Sequence, residues 1–126
     1  MSDRDRDALP PAREALVWSL DHLRSGARLV RLLGDFDECD GTELLALVDE
    51  QRALGLDLLV LDLTELATFG PGAVRTVVRI AMDLGPVDIG LCLVASDGLV
   101  ESALDDAGVL SLFELHGSVD EALDVL

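Results

Sequence analysis

The stretch Leu56–Arg75 reads "LDLLVLDLTELATFGPGAVR", and its reading decides the fold. From Leu56 to Leu63 it is nearly all apolar, broken only by Asp57 and Asp62. Strands covered on both faces, as in the interior of a parallel sheet, read this way, so the run predicts a buried central strand. Further on, Val74, Val77, Val78 and Ala81 recur at helical spacing while Arg75, Arg79 and Asp83 fall off that face, the pattern of an amphipathic helix. Gly70-Pro71-Gly72 lies between the two. Proline suits a first helical position and glycine before it is an acceptable but weaker cap. The turn therefore starts a helix cleanly while offering no hydroxyl, thiol, imidazole or carboxylate for chemistry.

Upstream, "ALVWSLDHL" and "ARLVRLLGDFD" are two strand-like runs joined by "RSG", a connection short enough for antiparallel neighbours and too short for parallel ones. Next, "ELLALVDEQRALG" reads as a helix capped by Thr42, with Leu44, Leu47, Val48, Gln51 and Leu54 on one face and Gly55 as its terminator. Downstream come the strand "DIGLCLVAS", the helix "GLVESALDDAG" ended by Gly108, the short strand "LFELH" and the helix "SVDEALDVL". Ser118 with Glu121 fits a capping box at the start of that last helix. The order is ββαβαβαβα. The fold class is thus α/β: a mixed sheet opening with an antiparallel hairpin and packed by about four helices, mainly in one layer. Residues 1–13, with alternating Asp and Arg before Pro10-Pro11, read as a flexible tail, and residues 14–126 as one domain.

The formal charge is -16, from 25 acidic residues against 9 basic ones, all of them arginine. Binding a phosphate backbone requires clustered cations, so nucleic acid is excluded as a partner and a basic patch on another protein is favoured. No apolar run approaches the roughly 18 residues needed to cross a bilayer, and the charged N-terminus is unlike a signal peptide. A cytoplasmic protein without membrane insertion is expected.

Cys39 and Cys92 lack zinc-ligand spacing and read as reduced thiols. Cys92, inside "GLCLV", reads as a core residue; Cys39 reads as exposed among acids that would raise its pKa. His22 and His116 stand isolated in the sequence, with neither a nucleophile nor a ligand set beside them. No catalytic residue, metal site or cofactor is expected, and hence no enzyme. Trp18 reads as packing at the hairpin or anchoring a partner at the strand edge.

Three fragments in this order carry a family resemblance: Gly34 and Asp37 in "GDFD", Asp62-Leu63-Thr64 in "LVLDLTEL", and "GVLSLFELHGSVDEAL". Together they resemble the STAS domain family, the anti-sigma factor antagonists and their relatives, over roughly Ala15 to Leu126. The resemblance implies a non-catalytic protein-interaction module, active in partner switching and transcription regulation, that binds an anti-sigma factor or kinase-like protein. Family members usually carry Asp-Ser-Ser-Gly, with one serine phosphorylated, at the start of the second helix. Gly70, Pro71, Gly72 and Ala73 fall on those four positions, with Gly72 at the usual phosphoacceptor. Phosphorylation there is ruled out by the side chains, and as a helical glycine Gly72 should accept serine without loss of stability. Thr68 is the substitute acceptor, a low-ranked one, read as lying at a half-buried strand end. Asp37 and Asp62, read as strand ends, would form an acidic rim beside Gly70 or serve as turn and capping residues.

The implied partner surface comprises Asp37, Gly70, Pro71, Gly72, Ala73, Arg75 and Arg79. A second reading keeps the fold and makes the chain a scaffold or regulatory subunit, either a homodimer or attached to a larger complex such as a transporter. A phosphoacceptor receiver shares the α/β look but fails on the opening hairpin and on the absence of lysine.

Overall fold

Five strands form one sheet in the order β1-β2-β3-β4-β5, in a computed structural model that describes residues 16–36 and 38–124 and, for 38–40, the backbone alone. The expected tail, residues 1–13, lies outside the described residues. β1 (Val17–Arg24) and β2 (Ala27–Phe36) form the antiparallel hairpin, turned by Gly26 at φ 82°. β3 (Leu58–Phe69), β4 (Gly90–Val94) and β5 (Glu114–His116) then add in parallel. The helices are α1 (Glu38–Ala53), α2 (Pro71–Leu84), α3 (Leu99–Asp106) and α4 (Val119–Asp124), with short 3-10 turns at Gly85–Val87 and Leu110–Leu112.

Alternation along β3 feeds two cores. Leu59, Leu61 and Leu63 point to the main cluster, where Leu44 and Val48 of α1, Val77 and Ile80 of α2, and Val100 and Leu104 of α3 meet them. Leu58 and Val60 point to the opposite face, with Ala27, Leu29, Cys92, Val94 and Ala122 of α4. Three helices thus share the expected layer and α4 covers the other side. β3 is central and buried, as its apolar run predicts, but it runs to Phe69 rather than ending at Leu63.

Three sequence expectations are corrected at the helices. α1 begins at Glu38, so Thr42 lies inside it and caps nothing. Gly41, inside the same helix, is a contact point: a Cβ built there would overlap the Thr76 Oγ1 of α2. Leu54 is 65% exposed rather than part of the buried face. The buried face of α2 is Ala73, Val74, Val77, Ile80 and Leu84, turned slightly from the expected stripe; Arg75 and Arg79 are exposed as expected.

Gln51 does lie on the buried face of α1, and the sheet explains it. Its Oε1 accepts a hydrogen bond from the Nε of buried Arg28 on β2 at 3.0 Å. The same guanidinium donates to the carbonyls of Ala27 and Arg24, so the charge is placed among oxygen acceptors and α1 is tied to the sheet. At the chain's other end, Ser118 Oγ accepts from the Glu121 amide at 3.1 Å, as the capping-box pattern requires. The Glu121 carboxylate reaches back to the Gly117 amide instead of to that of Ser118.

The Gly41–Thr76 approach yields a test. Gly41→Ala should destabilise the fold by about 1–3 kcal/mol through overpacking, and adding Thr76→Ala should recover part of that loss. Denaturant unfolding of the two single variants and the double variant measures the coupling; additive effects would place the crowding elsewhere.

Candidate functional site

The C-terminal end of β3 and the start of α2 form a fixed corner. Phe69 and Phe36, the last residues of the two neighbouring parallel strands, are both buried and meet edge to face, with ring centroids 5.8 Å apart and planes at 86°. Such pairs add cohesion beyond their buried area. The Gly70 amide then donates to the Phe36 carbonyl at 3.3 Å, and the Gly70 carbonyl accepts from Val74 at 3.1 Å. Gly70 is the N-cap, extended at φ -85° and ψ -176°, without a side-chain cap; Pro71 is the first helical residue.

The four residues of the turn differ sharply in exposure. Pro71 is exposed and Gly70 half-buried, and a Cβ on Gly70 would meet nothing within 4 Å. Gly72 and Ala73 are buried. The hydroxyl of Thr76, one turn on, donates to the Gly72 carbonyl at 2.9 Å. Gly72 is thus an inner position of the helix start, and the outward-facing positions are Gly70 and Pro71.

Beside this corner lies an open groove of about 460 Å³. Phe69, Gly70, Pro71, Val74 and Arg75 form one wall; Ala103, Asp106 and Ala107 at the end of α3 form the other. The contribution of α3 was not legible from the sequence, since only the packing of α3 beside α2 brings those residues there. Arg79, one turn beyond Arg75, is exposed and paired with Asp83, its Nε 3.2 Å from Oδ2. Arg24, Arg31 and Arg52 are likewise each beside an aspartate.

Thr68 lies at the end of β3 and is exposed rather than half-buried. Its hydroxyl donates to the Asp35 carboxylate across the strand pair at 3.0 Å. Asp62 is not in an acidic rim with Gly70. It sits in mid-strand, where its Oδ1 accepts from the Thr64 amide at 3.0 Å and the Thr64 hydroxyl at 2.7 Å. At roughly 3.3 Å of rise per residue it is about 26 Å along the strand from Gly70. The strand's extension to Phe69 is the reason. Asp37 lies outside the described residues.

His116 is not isolated either. Across β4 and β5, ligand-type atoms of Cys92, Glu114 and His116 all lie within 4.8 Å of one another. His116 Nε2 is 3.4 Å from Glu114 Oε1. Cys92 is a free, buried thiol, pushed above its ordinary pKa by burial and, in the same direction, by the charge of Glu114. That favours the protonated form over a nucleophilic thiolate.

Comparison with known proteins bears on this arrangement. Residues 17–122 match the STAS domain family. No curated protein sequence matches the chain significantly. Similar solved structures include an anti-sigma factor antagonist from Mycobacterium paratuberculosis, at TM-score 0.78 and 20% identity over 88% of this chain and 93% of that one. The unphosphorylated anti-sigma factor antagonist SpoIIAA follows at TM-score 0.74 and 15% identity, covering 86% and 95%. The phosphorylated form of SpoIIAA, a Bacillus cell fate determinant, gives TM-score 0.69 and 14% identity, covering 86% and 98%. At these identities the likeness establishes the fold: a mixed five-stranded sheet with an antiparallel β1–β2 pair and four helices.

The contrast between Gly70 and Gly72 is measurable. Gly70→Ser should raise stability by a few tenths of a kcal/mol, because it adds a cap oxygen in open space. Gly72→Ser should lower stability instead, since it buries a hydroxyl, reversing the expectation from helix propensity alone. Thermal unfolding of both variants reads the signs; equal shifts would show that the two positions are equivalent.

Proposed function

The chain belongs to the STAS domain family, and on that premise we propose that it is a non-catalytic interaction module, akin to an anti-sigma factor antagonist, that binds an anti-sigma factor or kinase-like protein. The dock is the corner at the start of α2: Gly70 and Pro71 at its tip, Arg75 and Arg79 along the exposed helix face, and the groove beside them. Gly72 and Ala73 support this surface from beneath. The observation that carries the reading is that this corner presents an open, largely apolar groove beside a helix start that has no side chain to modify.

The consequence is a dock without the usual switch. A phosphate adds nearly two negative charges and can repel or reshape a partner, but neither glycine nor proline nor alanine can accept one. Thr68 has an exposed hydroxyl, yet that hydroxyl faces the Asp35 carboxylate, which would oppose an added dianion. Partner binding at this corner is therefore set by the amounts of the two proteins and not by modification of the chain. The charge of -16 favours a partner with a basic surface and an encounter that weakens as salt rises.

The scaffold reading rests on a different surface. β1 is an edge strand on which Val17 is 58% and Trp18 38% exposed, as would suit a second copy or a larger assembly.

Calorimetric titration against a purified anti-sigma kinase from the same host tests the proposal. Gly70→Asp should keep the fold, since aspartate is a favourable cap, while weakening binding at least tenfold. Mass spectrometry after incubation with the kinase and ATP should find no phosphate on Thr64 or Thr68. Unchanged affinity in Gly70→Asp, or stoichiometric phosphate on either threonine, would refute the switchless dock. Binding lost only in Trp18→Ala would favour the scaffold reading.

A further inference from the structure

Away from the α2 corner, on the sheet face covered by α4, three side chains with different donor atoms converge. β4 and β5 pair in parallel with Cys92 opposite Glu114 and Val94 opposite His116. Cys92 points to the same side as Val60 and Val94, and the period-two alternation of a strand puts Glu114 and His116 on one face. The thiol sulfur, a carboxylate oxygen and an imidazole nitrogen thus come within 4.8 Å of one another. We propose that Cys92, Glu114 and His116 bind one divalent transition-metal ion of the zinc type, the Cys92 thiol releasing its proton to solvent as the sulfur–metal bond forms.

The donor set selects the ion. Calcium and magnesium take oxygen ligands, whereas sulfur, nitrogen and one carboxylate together suit zinc or cobalt. Zinc–ligand bonds of roughly 2.0–2.3 Å imply ligand atoms about 3.3–3.8 Å apart in a tetrahedron. His116 Nε2 and Glu114 Oε1, at 3.4 Å, already meet that spacing. Closing the group from at most 4.8 Å to that spacing takes about 1 Å, and Glu114, whose side chain is 68% exposed, has more room to move than His116 at 11%. The other two ligands are held more firmly. Cys92 is 4% exposed in the small core, and the strand of His116 is tied to β4's end by its carbonyl, which accepts from the Ala95 amide at 2.9 Å.

Such an ion would join β4 to β5, a three-residue strand at the edge of the sheet, just before α4. It would stabilise the folded chain increasingly, as the logarithm of free metal above its dissociation constant, independently of any partner at the α2 corner.

Cobalt(II) titration into the reduced full chain tests the site. One ion per chain should bind with a sulfur-to-cobalt charge-transfer band and the visible bands of tetrahedral cobalt, and zinc should bleach them. Cys92→Ser should abolish the charge-transfer band and Cys39→Ser should leave it intact. Glu114→Gln, an exposed change that cannot disturb the core, should weaken binding at least tenfold, as should His116→Gln. Zinc should raise the melting temperature of the wild type and not of Glu114→Gln. Absence of the charge-transfer band, its survival in Cys92→Ser, or affinity unmoved by Glu114→Gln and His116→Gln would overturn the proposal.

Discussion

The structure depends on β3 being buried on both faces while pairing in parallel with β2 on one side and β4 on the other. Because side chains alternate, a one-residue slip would send Leu59, Leu61 and Leu63 to the α4 side and Leu58 and Val60 to the three-helix side. Two cores of different size make that slip costly: the larger one accepts α1, α2 and α3, and the smaller only α4. With β3 in register, its end is fixed too, and Phe69 meets Phe36 where α2 must begin. The proposed dock is therefore placed by the interior of the sheet and not by the conformation of a loop.

That placement accounts for the residues found at the corner. Gly70 accepts the extended conformation of a cap without contributing a side chain, and Pro71 sets the first helical turn at the cost of one donor. Both face outward. The buried Gly72 and Ala73 keep the helix start close to its neighbours, and the Gly41–Thr76 approach holds α1 against α2 one turn further on. A surface built this way offers no side-chain hydroxyl from Gly70 to Ala73, which supports the proposed constitutive binding over switching.

Much of this was legible in the sequence because it follows from short-range patterns. The apolar run of β3, the hairpin spacing, the Gly-Pro helix start and the Ser118 cap each depend on a few adjacent residues. What failed depended on contacts between distant segments. Thr42 read as the cap of α1, whereas that helix already begins at Glu38, and the close approach of Gly41 to Thr76 of α2 left no local mark. Asp62 read as a strand end because Asp-Leu-Thr is polar at both ends, whereas Thr64 satisfies that carboxylate inside a longer strand. Asp106 in the groove wall and the grouping of Cys92 with Glu114 and His116 needed helix packing and strand register respectively. The only local trace of the latter was the Glu-x-His alternation in a strand following a buried cysteine.

The central claim is that the partner meets the start of α2, and amide hydrogen exchange of the free and bound chain tests it most directly. The account predicts that binding slows exchange from Phe69 through Arg79 and at the end of α3, with β1 unchanged. Protection confined to β1, with the α2 corner exchanging as in the free chain, would contradict it.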